Sequence, residues 1–278
     1  MGVDYLFIKV RKLIYVAVVA FIIILFGGCD RMTSLLVLPP PTTIADIAYD
    51  TRMRRVDYRV YIEENSDFVP YLVATSNYNG NVLLVREFLL DDAMHFNPSP
   101  RSHNPGLWGW YDFGAYYEGS YIDSFLNSEF ISILGGGAIG AMVLSNIEIT
   151  DKSSMGVAGR LSTHIQRYVF LLSLKELGGP ESSINVPEGE RLDIFAGKFT
   201  RRVARLSDGE AYPYWTRSPS TWGTNNAFVI GANAIDSGPA HNLLGVRPAF
   251  AVYRNTPITT RTDIVDGEYV FVIDERDY

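Results

Sequence analysis

The apolar and polar positions along the chain divide it into strand-like runs at either end of a long stretch, with a helical stripe between them. The first runs are "DYRVYIEE" (57–64), "VPYLVATS" (69–76) and "GNVLLVREFLL" (80–90). Asn79-Gly80 between the last two is a hairpin signal, since both residues tolerate the left-handed backbone of a two-residue turn. Farther on, Ile122, Phe125, Leu126, Phe130, Ile133 and Leu134 fall on one helical stripe. Ser120 caps it and Asp123 closes a capping box, so the pattern predicts one helix that Gly135-Gly136-Gly137 stops. "RYVFLLSLKELGG" reads as a buried strand to Leu172, then a short helix boxed by Ser173 and Glu176 and ended by Gly178-Gly179. Residues 180–211 are polar and turn-rich. Strands return in "YPYWTRSP", "NAFVIGANAI", "LLGVRPAFAVY" and "GEYVFVIDE". The expectation is an α+β fold of small antiparallel sheets, two short helices and long loops, in a single domain over residues 51–278.

The first 28 residues have a different pattern. Lys9, Arg11 and Lys12 precede the apolar run "LIYVAVVAFIIILF", and Gly27-Gly28 precede Cys29. This is the layout of a secretory signal, and the small pair before a cysteine resembles the lipobox of bacterial lipoproteins, with Phe26 where Leu is usual. An uncleaved single-pass anchor is the competing reading, but the apolar run is short of the roughly 20 residues of a comfortable span. Residues 29–50, with Pro39-Pro40-Pro41, read as a lipidated cysteine and an extended tether. The expected location is the extracytoplasmic face of the bacterial cell membrane.

Charge and cysteine count narrow the partners. The formal net charge is −7, and removal of residues 1–28 takes away three positive charges and one negative, leaving −9. An acidic chain does not neutralise phosphates, so nucleic acid is excluded as a partner, and the lipid has to hold the protein at the membrane. Cys29 is the only cysteine, which leaves no thiol for catalysis, metal binding or redox chemistry.

No motif announces chemistry. Gly135-x-Gly137-x-x-Gly140 matches the dinucleotide fingerprint in form, but it follows a helix and is read as a helix stop. His95, His103, His164 and His241 have no metal-ligand spacing, and no G-x-S-x-G elbow is present. Asp91-Asp92 read as solvated turn residues. No cofactor and no metal are expected. The loop carrying Trp108 and Trp110 is rich in aromatics, most of them expected to pin it to the core. Arg217 and Arg247 lie in apolar strand contexts, where a guanidinium must have its donors satisfied, so both are read as structural, with Trp215 beside them in the core.

Taken in order, "NVLLVREFLLDDAMHFN", "YIDSFLNSEF", "YVFLLSLKEL", "YWTRSPS" and "GVRPAF" resemble an uncharacterised family of bacterial extracytoplasmic domains common in Firmicutes. Its members read R-x-W-L-N-x-x-F, V-F-L-L-S-x-x-E, W-L-R-S-P and G-V-R-P-A. The likeness covers about residues 56–255, with Asp123, Phe125 and Thr216 departing from the pattern. The family in turn resembles the C-type-lectin-like fold, in the branch shared with formylglycine-generating enzymes. Those enzymes need cysteine chemistry for copper and oxygen, so the resemblance implies the scaffold without the activity. It implies loops gathered on one side, where Trp108, Trp110, Trp222, Asn225 and Asn226 are the candidate ligand-binding residues. The function expected is a membrane-anchored, non-catalytic binding module for a carbohydrate, peptide or protein. The alternative is a glycan-active hydrolase using acidic residues.

Overall fold

The computed structural model describes residues 40–49, 58–98, 114–155, 161–179, 188–196, 201–221, 223–265 and 267–273. The first strands are β1 (Arg59–Glu64), β2 (Asp67–Tyr78), β3 (Asn81–Arg86) and the short β4 (Met94–His95). Two two-residue turns join β1 to β2 and β2 to β3, both with left-handed backbone throughout. Asn65 and Ser66 have φ of 48° and 74°, and Asn79 and Gly80 have 51° and 85°. Such turns match the right-handed twist of the strands they join, and the Asn-Gly pair forms the hairpin its sequence predicts.

Three short helices follow: α1 (Tyr121–Leu126), α2 (Glu129–Ile133) and α3 (Gly136–Ala141). This corrects the expectation of one helix stopped by the glycines. Ser120 Oγ does accept from the Asp123 amide at 3.2 Å. The break comes at Asn127, whose side chain is claimed by a distant strand. Its Nδ2 donates to Val169 O at 2.8 Å, and its Oδ1 accepts from the Tyr168 and Val169 amides at 3.1 and 3.2 Å. The glycines carry α3 rather than stopping a helix. Gly137, Ala138 and Ala141 are buried, and a Cβ on Gly135 would lie 2.8 Å from that of Glu63. Small residues let this segment lie against the end of β1, where the Gly135 amide donates to Glu63 O at 2.8 Å.

The remaining strands are β5 (Met142–Val143), β6 (Ser145–Thr150), β7 (Ser162–Arg167), β8 (Val169–Leu171), β9 (Tyr214–Pro219), β10 (Asn226–Ile230), β11 (Ile235–Pro239), β12 (Leu243–Leu244), β13 (Pro248–Val252), β14 (Ile258–Arg261) and β15 (Val270–Ile273). Among the described residues the main sheet has eight strands in the order β14-β15-β1-β2-β3-β13-β5, with β8 also paired to β13. It is larger than the small sheets the sequence suggests, and its β1–β15 pair is parallel. β13 is buried at all five positions. One of its edges pairs with β3, and the other is shared by β8 and β5. Small sheets β11-β10-β9, β12-β4 and β6-β7 complete an α+β architecture.

The folded unit runs Pro41–Tyr278. Ile44 and Ile47 are buried in the core, and the Ile44 amide donates to Thr256 O at 2.9 Å. Burial of these two apolar side chains ties residues 44–47 to the rest of the unit. Among the described residues no helix is long and apolar enough to cross a membrane.

Candidate functional site: a polar cleft over a buried glutamate and arginine network

Arg217 projects from β9 and is fully buried. Its guanidinium forks onto Glu176, with Nη1 to Oε2 at 2.6 Å and Nη2 to Oε1 at 3.0 Å. Its other donors reach Leu171 O at 2.9 Å, Glu148 O at 3.0 Å and Glu188 O at 3.3 Å. One side chain thus ties together β6, β8, β9 and the turn that carries Glu176. Burial alone would lower the Arg217 pKa, but the Glu176 carboxylate outweighs it and holds the guanidinium above its ordinary value.

The turn at Glu176 is legible in the sequence. The Ser173 amide donates to Glu176 Oε2 at 2.9 Å, and the Glu176 amide donates back to Ser173 Oγ at 3.0 Å. This is the reciprocal capping box the sequence predicts. It closes one turn rather than a helix, because Gly178, at φ 70°, lets the Gly179 amide fold back onto Leu174 O at 2.8 Å.

Two further glutamates surround the pair. Glu188 is buried; its Oε1 accepts from the Thr150 amide at 2.7 Å and from Thr150 Oγ1 at 2.6 Å, and its Oε2 from Ser218 Oγ. Burial pushes the Glu188 carboxyl up, against the opposing pull of Arg217 and the two hydroxyls. Glu148 Oε1 accepts from Ser162 Oγ and its Oε2 from the Gly189 amide at 2.9 Å. Tyr78 stacks on Phe170 at 5.7 Å and donates its hydroxyl to Glu176 Oε1 at 2.8 Å. Burial and then the Glu176 charge hold this phenol well above its ordinary pKa. All six carboxylate oxygens of Glu148, Glu176 and Glu188 therefore have a donor from the chain itself.

A cleft of about 740 Å³ opens over this network. Asn77, Asn146, His164, Glu190, Arg191 and Asp193 line it and are exposed. Opposite charges and neutral amides share its lining, a composition that suits a ligand with many hydroxyl, amide or carbonyl groups.

Cys29, Trp108, Trp110 and Trp222 lie outside the described residues. Asn225 and Asn226 border a smaller cavity of about 230 Å³, with Asn97, Gly114 and His241. Asn225 Oδ1 accepts from the Gly114 amide at 3.3 Å, and Asn97 Nδ2 donates to Gly114 O at 2.6 Å, so these amides pin the start of the segment at 114. Trp215 is buried edge-on to Phe96 at 5.7 Å, and its indole N–H donates to Met94 O at 2.9 Å. Arg247 is also buried, but carbonyl oxygens and a phenol surround it in place of a carboxylate. Asp91 and Asp92 are exposed. Among the described residues no group of acidic, histidine or cysteine side chains is placed to hold a metal ion.

Sequence reasoning missed Glu148, Glu188 and Tyr78. Glu176 was legible as a capping residue, but its partnership with Arg217 spans 41 positions and leaves no local signal. A glutamate between apolar residues in "NIEIT" was the trace available for Glu148.

No curated protein and no solved structure matches the chain. A family described as a domain of unknown function, DUF6273, matches residues 79–253. The match begins at the turn between β2 and β3, ends just past β13, and takes in Arg217, Arg247 and the three glutamates. The chain belongs to this domain family, DUF6273.

Proposed function

We propose that the protein is a lipid-anchored extracytoplasmic binding module that takes a carbohydrate, peptide or protein ligand without transforming it. The observation that carries this reading is the state of the three glutamates beneath the polar cleft. A general acid or base must reach the proton it moves. Each oxygen of Glu148, Glu176 and Glu188 is instead engaged by an internal donor, so these carboxylates brace the cleft floor rather than face a substrate. The exposed amides and charges of Asn77, Asn146, Glu190 and Arg191 are left to meet a ligand. The scaffold is read as C-type-lectin-like, of the formylglycine-generating-enzyme branch. Short helices beside a curled sheet and a buried Gly-Val-Arg strand entry support that reading. The single cysteine argues against formylglycine-generating chemistry.

The loop face bearing Asn225 and Asn226 is a second seat, favoured by the cavity they share with Asn97 and His241. Trp108, Trp110 and Trp222 are the expected stacking residues there. A glycan and peptide array run beside a glycoside hydrolysis assay tests the function. Retention of a ligand without turnover is expected. Asn77→Ala with Arg191→Ala should weaken binding if the cleft is the seat; Trp110→Ala with Trp222→Ala should do so if the loop face is. Turnover of a glycan, lost on Glu190→Gln or Asp193→Asn, would overturn the binding-module reading in favour of a hydrolase using acidic residues.

A further inference from the structure

We propose that a second pocket, between Arg247 and the segment 201–205, binds a sulfate or phosphate group borne on a soluble ligand. The proposal starts from a contrast between two arginines that look alike in the sequence. The charge of Arg217 is answered by Glu176. Arg247 is 4% exposed, and among the described residues no carboxylate reaches it. Its Nε donates to Arg86 O at 2.9 Å. Its two terminal nitrogens find only Arg202 O, Tyr214 Oη and Glu87 O, at 3.4 to 3.5 Å. The rings of Phe195 and Tyr214 face the guanidinium at 5.7 Å. Carbonyl dipoles and ring faces make a buried cation tolerable, but they leave its charge in place.

Arg247 lines a pocket of about 190 Å³ together with Arg59, Arg201 and Arg205. Among the described lining residues the one carboxylate is Glu87, and Arg59 holds it through two donors at 2.5 and 2.6 Å. Four arginines against one glutamate leave three positive charges in excess, in a chain whose formal charge is −7. Two of these arginines have donors to offer. Arg201 uses one terminal nitrogen, on Tyr49 Oη at 2.7 Å and Ile194 O at 3.3 Å. Arg205 likewise uses one, on Gly209 O at 2.6 Å. Arg202, in the same segment, has its guanidinium pulled below the ordinary arginine range by burial and then by the charge of Arg191.

A cluster of like charges that the fold keeps in place is relieved by an anion. Guanidinium forks converging from several directions suit a tetrahedral oxyanion, whose oxygens can be shared among them, better than a carboxylate with two. At roughly 30 Å³ per water, the pocket admits one such group with part of its hydration shell. The pocket shares no lining residue with the polar cleft, although Tyr49 of that cleft accepts from Arg201.

The test is calorimetry and thermal melting of the full-length protein with sodium sulfate and with sodium phosphate, against sodium chloride at matched ionic strength. A saturable stabilisation that chloride does not reproduce is expected, and the tighter of the two anions identifies the group the ligand bears. Arg201→Gln with Arg205→Gln, both at solvent-accessible positions, should weaken that anion by about tenfold or more while leaving the unliganded melt close to the parent's. Arg247→Lys keeps the charge but loses the fork and should also weaken it. If that variant does not fold, the Arg201 and Arg205 pair still decides. No saturable effect beyond chloride, or a double variant that binds like the parent, overturns the proposal.

Discussion

A buried guanidinium is stable only while its donors are answered, and the two buried strand arginines meet this condition differently. Arg217 and Glu176 are a bidentate pair with no exposed surface on either side chain. Arg217→Ala would leave the Glu176 carboxylate buried and bonded only to neutral donors, a loss of about 3–5 kcal/mol that urea denaturation should register. A loss below about 1 kcal/mol would show that water or a rearranged donor takes the place of the guanidinium. Glu188 makes a related prediction in pH. Burial raises its folded pKa above the ordinary 4.5, so the folded state binds this proton more tightly than the unfolded chain. The resulting stability is fully present below pH 4.5 and is lost as pH rises through the folded value. Glu188→Gln removes that titration, so the variant should gain on the parent as pH is raised from 4.5 towards neutrality. A difference between the two that stays constant with pH would show that Glu188 titrates alike in both states.

At the scale of elements, the structure turns on side chains that interrupt regular patterns to serve distant strands. Asn127 ends α1, and its amide makes three hydrogen bonds to the backbone of residues 168–169. Asn127→Ala would strand a carbonyl and two amides there, with a cost of about 1–3 kcal/mol. Faster hydrogen exchange at the Val169 amide is the local readout; exchange unchanged at that amide would mean water replaces the side chain. The same residue shows where sequence reading stops. The apolar stripe from Ile122 to Leu134 is real, and these residues do face the core, but the partner that breaks the helix lies 42 positions away. Local signals fared better: Asn79-Gly80 and the Ser173 and Glu176 box form because their chemistry closes within four residues. Of the candidate sites, the two arginines were legible as buried donors in need of acceptors. The carboxylate that answers one and the absence of any for the other were not, since both depend on which strands the topology brings together.

Over the whole molecule, the charge distribution and the N-terminal segment bear on each other. The chain is acidic overall, yet three excess positive charges gather in one pocket, so its cationic character is local and suited to a small anion rather than to a membrane surface. Without residues 1–28 the formal charge falls from −7 to −9. Anionic headgroups repel such a protein, so the proposed attachment to the membrane would have to come from hydrocarbon. One acyl chain holds a protein only marginally, whereas two give stable anchoring, and a diacylated cysteine supplies two. Cys29 stands between the apolar run and the proline-rich segment, with the folded unit beginning at Pro41. Mass spectrometry of the protein from a host with lipoprotein-processing enzymes is expected to find a diacylglyceryl group on Cys29 as the first residue. Cys29→Ser should then leave the unprocessed chain held only by its apolar run of 14 residues, "LIYVAVVAFIIILF", and extractable under conditions that leave the parent in the membrane. An unmodified Cys29 in an intact precursor would reject lipidation, and the apolar run itself would then be the anchor.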